Sequence, residues 1–214
     1  MPSLLSPIFA VPTASHFPIG QSPFRIKGRA YLGVEEYVRA HVPLGIAAID
    51  RVSDPEVRTY LQQSFRESDW YDPYPLAILC NAIARTAGIT LERLIHHGAV
   101  YQGERHMQGA YGALLRVVST QTVARWAPWM LQLFFEFVRV ETSTLAPRMI
   151  ACHVKRIPAD LVQFGVWASI GVCEGALRAQ GAKDVRVDLS DPTFDSTEHG
   201  VDLYTITATI LWGG

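Results

Sequence analysis

The feature that most constrains the fold is a single change of hydrophobic period near Phe134. Before it, apolar residues recur every three or four positions, as in Leu76, Leu79, Cys80, Ile83, Ala84 and Ala87, the pattern of one buried helix face. After it, LFFEFVRVETSTL and RMIACHVKRI alternate around Ala146-Pro147, which predicts a β-hairpin. A long apolar segment, LVQFGVWASIGVCEGALRAQG, follows Pro158 and Asp160 and reads as a helix ending at Gly181. Alternation then returns at Val185, Val187 and Leu189. After DPTFDSTEHG, read as a polar loop, it returns again in a last strand carrying Tyr204, Ile206, Ala208, Ile210 and Trp212 on one side. An all-helical half followed by strand, strand, helix, strand, strand is an α+β fold: an N-terminal helical half packed on a small, mostly antiparallel sheet, with one long helix crossing the sheet.

Local signals place the helices. Ser53 or Asp54 with Pro55 and Glu56 predicts a helix start, as do Thr90 and Ser119, and Gly88 predicts a C-cap. The helix from Thr90 carries Gly98, Gly103, Gly109 and Gly112, each costing up to about 1 kcal/mol against Ala, so close helix contact or a break is expected there. Pro128 calls for a break or kink in the next helix. Residues 1 to 23 hold five prolines without periodicity, so the expected organisation is an extended arm, 1 to 23, and one domain, 24 to 214, with the arm dispensable for folding.

Charge and cysteine content narrow the function classes. With 19 Lys and Arg against 20 Asp and Glu, the chain has no general attraction for nucleic acid. The start lacks a basic region and is broken by proline, and the longest apolar stretches fall short of about 20 residues, so neither a signal peptide nor a membrane span is expected. Cys80, Cys152 and Cys173 are odd in number and far apart, which suits a reducing cytoplasm. There is no GxGxxG, GxxxxGK[ST], GxSxG, HExxH or CxxC, so nucleotide, serine-hydrolase and metal readings gain nothing from motifs.

The order of elements, with the helix ending in GALRAQG and a final strand reaching Trp212, resembles the four-vinyl reductase and heme-NO-binding group of ligand-binding domains. YDPYPL (71 to 76), GAYGALLRVVS (109 to 119), ALRAQGAKDVRV (176 to 187) and ILW (210 to 212) further resemble an uncharacterised myxobacterial domain family sharing that plan over about residues 24 to 212. The resemblance implies the fold and a small-molecule pocket between helices and sheet. Heme-NO-binding members use a helical histidine and a Tyr-x-Ser-x-Arg element. The nearest run here is Phe137-Val138-Arg139, so heme is not expected, and neither is the paired-cysteine zinc site of phenol-sensing relatives, because Cys173 has no late partner.

The residues expected to wall such a pocket are Trp129, Phe135, Phe137, Phe164, Trp167 and Tyr204, which would suit a small, largely apolar molecule. Surplus aromatics could instead form a homodimer face. The leading reading is therefore a non-enzymatic, cytoplasmic sensory or small-molecule-binding domain, or a dimeric interaction scaffold. The competing reading is an enzyme. His97, Tyr101 and Glu104 share one helix stripe, and a His beside a carboxylate can serve as a general base; the alternative for that stripe is a solvated helix face. His96, His97 and His106 lack metal-ligand spacing, and Cys152-His153 on a strand point to opposite faces. The loop Ser68 to Pro75, rich in Asp and aromatics, is read either as a ligand-positioning loop or as a helix cap in which Asp72 accepts backbone N–H groups.

Overall fold

The computed structural model describes residues 12–43, 45–52, 54–108 and 119–213. The GAYGALLRVV segment and the first eleven residues lie outside them, as does the His106 side chain.

Strand β1 (Ile26–Lys27), two residues long, leads directly into α1 (Gly28–His41). A 3-10 turn (Ile46–Arg51) and α2 (Pro55–Leu61) follow, with the Asp54 carboxylate accepting from the Glu56 and Val57 amides as the N-cap. Strand β2 (Trp70–Tyr71) pairs with β1, and α3 (Pro73–Ala87) ends at Gly88 in the left-handed conformation, φ 66°. Helix α4 (Leu91–Gln108) starts where Thr90 Oγ1 accepts from the Arg93 amide. Helix α5 (Thr120–Phe134) is capped by Ser119 and continues through Pro128 rather than stopping there.

The second half is β3 (Arg139–Ala146), β4 (Met149–Pro158), α6 (Val162–Ala179), β5 (Lys183–Leu189), β6 (Thr193–Glu198) and β7 (Val201–Gly213). All pairings are antiparallel, in the order β3-β4-β7-β5, with β6 pairing the first part of β7. Two expectations are corrected here. The segment read as a polar loop contains β6, because its Thr and Phe residues find an edge on β7. The alternating run before the hairpin is not a strand until Arg139; Phe135 instead makes an isolated bridge to Ile26.

Helix α6 lies between the sheet and the helical half, which is why its sequence is apolar on nearly every side. Val166, Ile170 and Cys173 face Ile150, Cys152, Val154, Ile206 and Ala208 across the sheet. Its other flank meets α4, the most extensive contact between any two described elements. Glycines set that approach. A Cβ on Gly171 would lie 2.5 Å from the His96 carbonyl oxygen, one on Gly175 2.4 Å from that of Val100, and one on Gly103 2.9 Å from that of Val172. Gly103 is the α4 glycine this approach requires, because there the two backbones touch; Gly109 and Gly112 lie outside the described residues.

The described part of the arm, from residue 12, packs on the core. Phe17 packs edge-on against Phe24 and Tyr74, Ile19 also packs on the core, and Ser22 is fully buried. The buried Asp72 carboxylate accepts from the Gly20 amide (2.9 Å) and, as the cap of α3, from the Tyr74 amide (2.9 Å). The Asp72 carbonyl also accepts from Tyr31 Oη, joining α1 to the same point.

Two outcomes follow for stability. Gly175→Val should cost about 3 kcal/mol or more in urea unfolding, because backbone atoms cannot yield to the added groups. Asp72→Ala, or deletion through Gln21, should lower the unfolding midpoint, the former by about 2 kcal/mol for the lost cap and tie. Unchanged stability of the deletion would show that the arm contributes nothing.

Candidate functional site

Where the halves meet, aromatic rings fill most of the space. Phe137 stands edge-on between Phe24 (5.4 Å between centroids) and Phe135 (5.7 Å), and Phe135 meets Phe164 at 6.4 Å. Beside Phe135 and Phe164 remains a cavity of about 50 Å³, bordered by α1, α3, α4, α6 and the end of α5. Ala30, Gly98, Ala99 and Ala168 keep it open, and Tyr37, Cys80 and Gln102 supply its polar atoms. Burial pushes the Cys80 thiol up to about 12, so it is a neutral group there.

The six expected wall residues are not brought together. Phe135 and Phe164 border the cavity, and Phe137 supports Phe135 from behind. Trp129 is 56% exposed and so is not an interior wall; α5 turns its Trp126, Trp129 and Leu133 stripe outward. Trp167 is buried on a different flank of α6, edge-on to His96. Tyr204 packs against Phe194 at the β6–β7 pair. Residues seven apart on a helix, such as 97 and 104, are separated by about 10 Å along its axis, and α4 makes no acid–base pair of His97 and Glu104. Tyr101 Oη donates to Glu36 and accepts from Arg105, and His97 is exposed. Only the His97 end of the stripe is exposed; Tyr101 and Glu104 are half-buried, with Tyr101 against the Tyr37 and His41 rings of α1.

A different histidine is engaged. Across the glycine crossing of α4 and α6, His96 Nε2 lies 2.8 Å from Glu174 Oε2, while Arg178, one turn further along α6, pairs with the other carboxylate oxygen. Burial pushes Glu174 up, but the hydrogen bond from His96 and the charges of His96 and Arg178 outweigh it and hold the carboxyl below its ordinary range. An ionised carboxylate can only accept, so His96 Nε2 is the donor. Burial, then the charges of His96 and Arg93, lower His97. Sequence reasoning missed this pair because its members are 78 positions apart. The only local signal was a charged residue inside an otherwise apolar helix.

The other candidates resolve locally. Asp72 is the cap of α3, and Trp70 sits under the Lys27 ammonium at 3.7 Å. Cys152 and Cys173 border a void of about 20 Å³ between sheet and α6, and burial pushes Cys152 up to about 12. Among the described residues no cluster of three His, Cys, Asp or Glu could hold a metal, and no single helix is long and apolar enough to cross a membrane.

No family model matches the sequence, and no curated protein matches it. Solved structures do. A Cs H-NOX mutant carrying 4-cyano-L-phenylalanine aligns with a TM-score of 0.64 at 7% identity, over 88% of this chain and 97% of that one. An oxygen-binding H-NOX domain related to soluble guanylate cyclases, in its oxygen complex, aligns at 0.61 and 9% identity, over 88% and 96%. A third, described by modulation of heme redox potential through protein-induced porphyrin distortion, aligns at 0.61 and 9%, over 87% and 99%. At such identities the likeness establishes an H-NOX-like α+β fold. It also corrects the dismissal of heme: solved neighbours of this fold are described by their heme, which conflicts with setting the group aside for want of a Tyr-x-Ser-x-Arg element.

The His96–Glu174 clamp has a pH signature. A carboxyl held low in the fold stabilises above its unfolded value and loses that contribution as pH falls through its folded value. A lowered His97 likewise favours folding more at pH 7 than below its ordinary value near 6.5. Both act in one direction. Thermal midpoints should therefore fall from pH 7 toward pH 4. Glu174→Gln should cost about 2 kcal/mol at pH 7 and flatten the acid limb of that profile.

Proposed function

We propose that the chain is a non-enzymatic, small-molecule-binding domain of sensory type whose ligand enters the seam between the helical half and the sheet. The observation that carries this reading is the apolar cavity beside Phe135 and Phe164, contributed by five helices and held open by small residues. At about 50 Å³ it has room for roughly three to five water-sized groups, so the ligand that fits is apolar and of only a few heavy atoms. The H-NOX-like fold supports the reading, since an oxygen complex is among its structural neighbours.

Heme is the group the fold neighbours suggest. Small-molecule sites of that class occupy several hundred Å³, against about 50 Å³ here. Among the described residues no histidine borders the cavity; His96 is turned to Glu174, and Cys80, a soft ligand at hand, is a neutral thiol. As packed, these residues do not fit a porphyrin, for which Phe135 and Phe164 must part.

A second reading is an interaction scaffold, carried by the outward stripe Trp126, Trp129 and Leu133 on α5 beside the exposed strand β3. Two tryptophans on one helix face are the residues most enriched at interfaces, and a second copy of the chain is the simplest occupant.

Xenon separates these readings. Crystals of the full chain under xenon pressure should show the atom in the seam cavity, and Ala168→Phe should abolish it while leaving the fold intact. Absence of xenon there removes the small-ligand reading. A Soret absorption band in protein purified from its own host would replace it with a porphyrin site. Under the scaffold reading, Trp129→Ser should convert a sedimenting dimer to monomer.

A further inference from the structure

A second cleft lies on the far side of α3, away from the seam. One wall is a stripe of α3, Ile78, Asn81, Ala82, Arg85 and Thr86, and the other is Arg51, Val52 and, from the arm, Thr13. It encloses about 380 Å³, within the several hundred Å³ typical of small-molecule sites. Its floor, Val52 and Ile78, is buried and apolar.

The charge at this cleft is one-sided. Among the described residues no acid borders it, whereas two guanidiniums do. Among the described residues, neither Arg51 nor Arg85 takes part in an ion pair, although arginines elsewhere do. The acids nearest in sequence are otherwise placed: Asp54 is spent on the N-terminus of α2, and Asp50 is exposed and outside the cleft. A third guanidinium, Arg58, is held on the Val52 carbonyl, so backbone that could accept from the cleft is already engaged. Arg85 and Arg51 each sit in the last turn of their helices, where a cation complements the carbonyl ends. That accounts for their positions on the chain but leaves their outward N–H groups unanswered. Both side chains are exposed at the cleft, so their guanidiniums stand free in water, and an anion bound between two like charges is attracted by both.

We infer that this cleft binds a small organic anion, a carboxylate or phosphate monoester carried on a compact apolar body. The guanidinium forks of Arg51 and Arg85 take the anionic head, since their planar geometry matches both groups. The apolar body rests on Val52, Ile78 and Ala82, and the Asn81 amide offers a neutral contact beside the head. Thr86 Oγ1 is committed to the Ala82 carbonyl and takes no part.

The test uses the full chain with benzoate, phenyl phosphate, inorganic phosphate and the neutral benzyl alcohol as probes, followed by amide chemical shifts at low salt. Benzoate, phenyl phosphate or both should saturate, with shifts centred on Val52, Ile78, Asn81 and Thr86, and affinity should fall as salt rises. The stronger of the two names the head group. Arg51→Gln and Arg85→Gln should each weaken it about 10-fold, and the double variant more, with an unchanged circular dichroism spectrum. Equal binding of benzyl alcohol, equal binding by the double variant, or no saturation by either organic anion would overturn the proposal. Inorganic phosphate binding as tightly as phenyl phosphate would remove the apolar half of it.

Discussion

The rest of the structure depends on the backbone contact between α4 and α6. Gly103, Gly171 and Gly175 let the helices meet at a separation that no Cβ would allow. That closeness fixes where both flanks of α6 point. One side then lies on the sheet through Val166, Ile170 and Cys173, and another offers Phe164, Ala168 and Val172 to the seam cavity. The same contact presents Glu174 to His96, so an apolar helix can carry one ionised group at a crossing that is otherwise dry. A buried carboxylate is costly unless paired, and here both its oxygens are paired.

A second node, Asp72, performs for the helical half what Glu174 performs for the crossing. One carboxylate caps α3 and holds the Gly20 amide of the arm, while its backbone carbonyl accepts from Tyr31 on α1. The proline-rich arm has no ladder partners of its own, so a side-chain acceptor and the Phe17 ring secure it instead. The charged and polar groups of this chain are thus used sparingly inside, each at a junction of elements. Arg51 and Arg85 stand apart from that pattern, gathered at one cleft without an acid.

Much of the architecture was legible along the chain because helix and strand impose different local periods. The change near Phe134, the caps at Asp54, Thr90 and Ser119, the glycine stop at 88 and the buried face of β4 all rest on interactions within a few residues. The errors arose where a partner distant in sequence decides. Strand β6 exists because β7 offers an edge, and the run from Phe134 to Val138 is not a strand because Phe135 finds only one bridge, to Ile26. Periodicity groups His97, Tyr101 and Glu104 on one stripe of α4, but it does not say whether a face meets solvent or protein.

By itself, the sequence determined an α+β chain with a helical half, an antiparallel sheet and an apolar crossing helix, since backbone hydrogen bonding and side-chain period are local properties. Tertiary structure alone decided which aromatics share a wall. Trp129 and Trp167 fall on outward or different flanks, whereas Phe135 and Phe164 converge, because the rotation of each helix about its axis is set by what it packs against. It also decided the engaged histidine. His96 and His97 are neighbours of identical chemistry, and a turn of about 100° around α4 directs one to Glu174 and the other to water.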